Sequence, residues 1–275
     1  MTFSIVARSA DGRAFGVAVA SKFLAVGAAV PAAEADIGAL ATQSYANLAY
    51  RPQGLALLRT GVAPADVVAG LTAADPGREQ RQLGVVGPAG DGATYTGEGC
   101  HDWAGGLTGD GYAIQGNILA GKQVVVAMAE AWAASDPAAP LGRRLHAALL
   151  AGDRAGGDRR GRQSAALLVV SPGQGYGGTS DVVADLRVDD HADPVPELAR
   201  LLDLHALYFD KPDPAALLDL TGELATEVRD RLAALGHRDA DLDTALASWA
   251  GVENLEERLV RGRLDPLVLA HLRRA

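Results

Sequence analysis

Short apolar runs broken by turn residues dominate the first half of the chain. Ile5-Val6-Ala7, Gly16-Val17-Ala18-Val19-Ala20 and the run at 24–30 are each predicted to be strands. Gly38-Ala39-Leu40-Ala41-Thr42-Gln43-Ser44 is another, and it ends on polar side chains. Continuous apolar runs of this length suit strands covered on both faces. Helical spacing takes over at 52–60, with Leu55, Leu57 and Leu58, and at 64–74, with Val67, Val68 and Leu71; glycine or proline bounds both. Strands return at 82–86, 93–96 and 111–114. Helices are predicted at 121–134 and 140–151, then strands at 163–171 and 182–188. Strands gathered around blocks of helices predict a layered α+β domain.

The pattern changes near Asp213. Asp213-Pro214 reads as a helix start and Gly236 as its end, with Leu217, Leu220, Leu224, Val228 and Leu232 as the apolar stripe. Three shorter helices are expected at 243–250, 253–261 and 266–274, the last opened by a second Asp-Pro pair. The division predicted is a sheet-bearing domain at 1–211 and a small all-α domain at 213–275, joined at Lys211-Pro212.

Composition narrows the functional classes. The net charge of -9 supplies no basic field for a polyanion, so nucleic acid is not an expected partner. Cys100 is the only cysteine, which excludes an internal disulfide and a multi-cysteine zinc site; a reducing, cytoplasmic setting is the expectation. The run at 14–30 mimics a signal-peptide core. Lys22 interrupts it and an alternating strand precedes it, so it is read as two buried strands. No other run has the apolar length for a membrane helix, so a membrane is not an expected partner.

Thr2 carries the sharpest chemical signal. Once Met1 is removed, the Thr2 hydroxyl and a free α-amine share one residue. The amine's ordinary pKa of about 7.7–8.0 suits a base near neutral pH. Alone, a threonine after the initiator is more simply a small residue. The segment 156–164 is the densest polar cluster and runs straight into a strand. Its glycines allow tight turns, and Arg154, Arg159, Arg160 and Arg162 offer planar donors to an anion, or pair locally as a solvated loop. Gln115-Gly116-Asn117 closes a strand; an asparagine amide there is either an oxyanion donor or an ordinary turn residue. Asp189-Asp190-His191 as a metal site, and Cys100-His101-Asp102 as a triad, both require sequence neighbours to converge in space; a turn is expected of the first, and a small semi-buried cysteine in the second. No metal or other cofactor is called for.

Taken together, the first 210 or so residues resemble the DUF1028 family of bacteria and archaea, assigned to the N-terminal nucleophile (Ntn) hydrolase superfamily. The resemblance rests on Thr2-Phe3-Ser4-Ile5-Val6-Ala7, Gly16 through Ser21, Ala25-Val26-Gly27 and Gly38 through Ser44. It continues in Arg81 through Val86, Gln115-Gly116-Asn117, Gly156 through Leu167 and Leu186 through His191. It implies a four-layer αββα sandwich with Thr2 as nucleophile, Ser21 assisting the amine and Asn117 holding the oxyanion. Gln43, Ser44, Asp158, Arg160, Gln163 and Ser164 would bind the polar end of a small amide substrate. The lysine that supports threonine in proteasome-like relatives has no counterpart, which argues against a peptidase. The last 60 or so residues resemble a small domain associated with peptidoglycan binding, through Trp249-Ala250-Gly251, Glu253 through Arg258 and Asp265-Pro266. Cell-wall glycan and a second copy of the chain are the macromolecular partners to weigh. The alternative reading is a non-catalytic binding or assembly protein that uses the sandwich as scaffold.

Overall fold

The structure is a computed structural model that describes residues 2–275; Met1, and with it the expected removal of that residue, lies outside the described residues. The chain forms two compact units, divided between Leu202 and Asp203. In the first, the elements run β1 (Thr2–Arg8), β2 (Phe15–Ser21), α1 (Val26–Ala29), β3 (Pro31–Glu34), β4 (Gly38–Ser44), α2 (Tyr50–Arg59) and α3 (Pro64–Ala73). They continue β5 (Arg81–Val86), β6 (Gly92–Thr96), β7 (Gly105–Gly109), β8 (Tyr112–Asn117), α4 (Gln123–Ala134), α5 (Leu141–Arg154), β9 (Ser164–Val170) and β10 (Val182–Val188). The helix α6 (Pro194–Phe209) runs across the division.

Two antiparallel sheets result, ordered β10-β9-β2-β1-β8-β7 and β3-β4-β5-β6. Period-two alternation along β1 shows how they stack. Phe3, Ile5 and Ala7 point to Val124, Met128, Leu145 and Leu149 of α4 and α5. Val6 points the other way, joining Val17, Val19, Ala39, Ala41 and Val86 between the sheets. Leu40, Leu83 and Val85 face outward from the smaller sheet onto Tyr50, Leu58, Val67 and Leu71. Both faces of the central strands are therefore buried, as their unbroken apolar composition requires.

Some elements depart from the pattern-based expectation. The run at 24–30 is not a strand. Ala25 takes a left-handed φ of 52° just after β2, and the Val26 N–H goes to the Ser164 hydroxyl at 3.1 Å, so a one-turn helix forms and pairing resumes only at β3. The glycine-rich β7 carries no alternating signal, yet it pairs with β8 along its whole length. The unpredicted α6 starts on Pro194 and buries Val195, Leu198 and Leu202.

The second unit contains β11 (Leu218–Asp219), α7 (Gly222–Ala234), α8 (Leu242–Glu253), β12 (Arg263–Leu264) and α9 (Pro266–Leu272), around Val228, Leu232, Leu246, Trp249, Leu255 and Val268. Asp213-Pro214 does not start a helix: the Asp213 carboxylate accepts from Ala215 N at 2.9 Å within a turn, and the helix begins eight residues later. The helix expected at 253–261 shrinks to one 3-10 turn, Glu256–Arg258, because Asn254 at φ 57° ends α8. Arg258 then turns inward, donating to Asp265 Oδ2 at 2.6 Å and to the Leu207 carbonyl at 2.6 Å. Asp265 also caps α9 through Leu267 N at 2.7 Å, as an Asp-Pro start predicts. Among the described residues no helix is long and apolar enough to cross a membrane.

Candidate active site

Register brings Thr2 and Asn117 opposite each other on β1 and β8, and Ser21 opposite Ser164 on β2 and β9. Thr2 Oγ1 lies 3.2 Å from Ser21 Oγ, close enough to share a hydrogen bond. Thr2 and Asn117 line a cleft of about 310 Å³, together with Gln43, Ser44 and Arg160. Here the facing side chains of the two sheets change from valine and alanine to amides and hydroxyls.

Those amides are bonded into one network. Gln82 Oε1 accepts from Gln43 Nε2 at 2.8 Å and from Asn117 Nδ2 at 2.9 Å. Gln82 is itself oriented by donating to the Gly116 carbonyl at 2.7 Å and to Thr96 Oγ1 at 2.9 Å. Ser4 links the other side, donating to Gln43 Oε1 at 2.7 Å and accepting from Gln115 Nε2 at 2.6 Å. Gln115 lies over Gly84, where a Cβ would overlap its carboxamide and push it out of this position. Gln43 thus reaches the cleft with both ends of its amide already engaged.

The other expected contacts separate. Arg160 lines the cleft and is positioned by Asp158, whose Oδ1 accepts from Arg160 N at 2.8 Å. Asp158 Oδ2 also accepts from Lys22 N at 2.7 Å, pinning the chain just past Ser21. Ser164 is fully buried; it donates to the Phe23 carbonyl at 2.5 Å and accepts from Val26 N, so it anchors a wall of the cleft. Asp158, Ser164, Gln163 and Ser21 are outside the cleft lining. Cys100 is buried against the Arg81 carbonyl and is likewise outside it. Among the described residues no group of three or more His, Cys, Asp or Glu is placed to hold a metal ion.

Phe23, Val26, Ala29, Val30, Tyr45 and Ile118 also line the cleft, with no role expected of them from the sequence, and His101 lines it without Cys100 or Asp102. A signal existed for two of them: Phe23 and Tyr45 each follow the polar end of a buried strand. Tyr45 OH meets His101 Nε2 at 3.3 Å. Ser44 and Ile118 sit at φ 69° and 48°, an uncommon region for any side chain and a strained one for a β-branched residue. The segment after Tyr45 is stapled by Asp75, which accepts from Arg81 Nε at 2.8 Å, Asn47 Nδ2 at 3.1 Å and Tyr50 OH at 2.9 Å. Arg81, then the Gly77 N–H and the other two donors, hold the Asp75 carboxyl well below the usual carboxylate range. Burial, then the bond to Asp75, pushes the Tyr50 phenol up.

Comparison with known proteins gives two family matches. The model described as "Family of unknown function (DUF1028)" matches residues 2–198, and that described as "Putative peptidoglycan binding domain" matches residues 208–272. The crystal structure of protein SPO2555 from Silicibacter pomeroyi, also matched to DUF1028, is 33% identical; the alignment covers 82% of this chain and 88% of that one, with a TM-score of 0.67. Anbu (ancestral beta-subunit) from Yersinia bercovieri is 13% identical over 74% of this chain and 96% of its own, with a TM-score of 0.34. No curated protein matches the chain.

Proposed function

This chain belongs to the DUF1028 family, and we propose that its cleft hydrolyses a small amide or related C–N bond with Thr2 as N-terminal nucleophile. The observation that carries the reading is the position of Thr2: a buried strand end that nevertheless lines an open cleft, with its hydroxyl 3.2 Å from Ser21 and a carboxamide opposite. Packing of helices, sheet, sheet and helices in that order supports the four-layer sandwich of Ntn hydrolases. The sandwich is taken as residues 1–211 and the helical domain as 213–275.

In the proposed mechanism, removal of Met1 frees the Thr2 α-amine. Thr2 Oγ1 attacks the substrate carbonyl carbon while its proton passes to that amine, directly or through one water. One amide hydrogen of Asn117 is held by Gln82; the second meets the developing oxyanion, a contact of the kind that contributes about 3–4 kcal/mol. Collapse breaks the C–N bond, and the leaving amine takes the proton from the Thr2 ammonium. Water then attacks the Thr2 ester, giving its proton to the same amine, and the acid departs. Ser21 orients the Thr2 hydroxyl. Arg160 and Ser44 meet the polar end of the substrate, while Gln43, Asp158 and Ser164 act through the walls they hold. Gln163 has no side-chain place in this scheme.

The test pairs Thr2→Ala with a form in which Met1 removal is blocked, assayed against small amides and lactams. Both should lose turnover while keeping the wild-type melting temperature; turnover surviving in both sinks the mechanism. One observation favours a second reading. The match at 208–272 to a domain described as peptidoglycan binding fits a non-catalytic scaffold whose helical unit contacts glycan. Mass spectrometry of the mature N-terminus separates them, since a retained Met1 leaves only the scaffold.

A further inference from the structure

The wall of the cleft formed by residues 23–30 is apolar and rigidly held. Phe23, Val26, Ala29 and Val30 face the cleft beside Thr2. This stretch would be free to move if only α1 supported it, but it is tied at several points to other elements. Asp158 takes Lys22 N, Ser164 takes Val26 N and gives its hydroxyl to the Phe23 carbonyl, and the Asp189 carbonyl takes Ala25 N at 3.0 Å. Arg51 Nη1 holds the Ala28 carbonyl at 2.8 Å, and Gly27 lies so close to Ala166 that a side chain there would overlap it. Such fixing costs a bound ligand no ordering of the wall.

Arg160 and His101 supply the cationic and imidazole groups of the lining. Arg160 Nη2 lies 3.4 Å from Asp158 Oδ2, the oxygen that also takes Lys22 N, so its guanidinium stands at the Phe23 end of the wall. The cleft measures about 310 Å³, the size of a small-ligand pocket. We propose that the 23–30 wall is an acyl pocket: it takes a compact apolar acyl group, of isovaleryl or benzoyl size, from a small amide. The substrate class is therefore a small amide of a compact apolar acid. The inference rests on the Thr2 reading for the bond that is cut, and on the wall alone for what is bound.

Two measurements test it. The first is kcat/KM for N-acyl-4-aminobenzoates carrying acetyl, isovaleryl, benzoyl and octanoyl groups. Each buried methylene is worth about four-fold, so isovaleryl and benzoyl should exceed acetyl at least ten-fold, and octanoyl should fall back. Ala29→Phe, which fills the pocket, should erase that preference. The second is binding of benzoate and acetate to the unaltered protein by ligand-detected NMR, which needs no turnover. Benzoate should bind at least ten-fold tighter, and Ala29→Phe should remove the difference. Selective benzoate binding with no turnover of any amide leaves the pocket standing and the Thr2 reading fallen. Turnover blind to the acyl group, with benzoate and acetate binding alike, overturns the pocket and spares Thr2.

Discussion

Between the two sheets, Val6, Val17, Val19, Ala39, Ala41 and Val86 meet as bare apolar surface, whereas a few residues along the same strands Ser4, Gln43, Gln82, Gln115 and Asn117 meet through hydrogen bonds. The valine end resists water without directional preference; burying each such side chain contributes about 1.5–3 kcal/mol. The amide end returns little net stability per bond, about 1 kcal/mol, but each bond fixes an orientation. It is also imperfectly satisfied: Gln115 Oε1, over Gly84, is buried without a partner among the described residues. Stability lives at one end of the interior and geometry at the other, and the cleft opens at the second.

Substitutions at the two ends should therefore fail in different ways. The largest effect belongs to Thr2→Ala, which should remove turnover and leave the thermal midpoint unchanged. Gln82→Leu comes next, because it strands the Gln43 and Asn117 amides. Turnover should fall by roughly 10- to 100-fold, with stability down about 2–4 kcal/mol by denaturant melts. Val17→Ala, at the apolar end, should cost about 1–3 kcal/mol in the same melts yet leave kcat/KM within two-fold. A comparable fall in activity from Val17→Ala would erase the distinction.

The smallest effect concerns acid. Asp75 has a depressed carboxyl, so the stability it adds is fully present above its ordinary value of 3.8 and disappears as pH falls through its folded-state value. Between pH 5 and 2, taken as approximate limits, the melting temperature of the wild type should drop more steeply than that of Asp75→Asn. Parallel curves would remove Asp75 as the staple of the segment after Tyr45.

Much of this was legible along the chain, and the gaps have causes. Strand β4 ends on Gln43-Ser44 and β8 on Gln115-Gly116-Asn117, so polar strand ends marked the cleft floor before register aligned them. The helical turn at Val26–Ala29 was hidden because Ala25, at left-handed φ, and Ser164, 138 residues from Val26, decide it, and neither is a local signal. Likewise Ser164 reads as a pocket serine by position but is turned to backbone atoms of the wall. Gln82 looked like any strand residue; only the second sheet reveals that it orders Asn117. At the other end of the chain, Asp213 and Asp265 share the same Asp-Pro signature, yet only Asp265 caps a helix, where Arg258 also fixes its carboxylate.

The most direct test of Thr2 is intact-mass analysis of the protein mixed with a slowly deacylating amide or β-lactone, followed by peptide mapping. The account predicts a mature chain beginning at Thr2 that gains the mass of one acyl group, on that residue's hydroxyl. A chain still carrying Met1, or an adduct on any residue but Thr2, would contradict it.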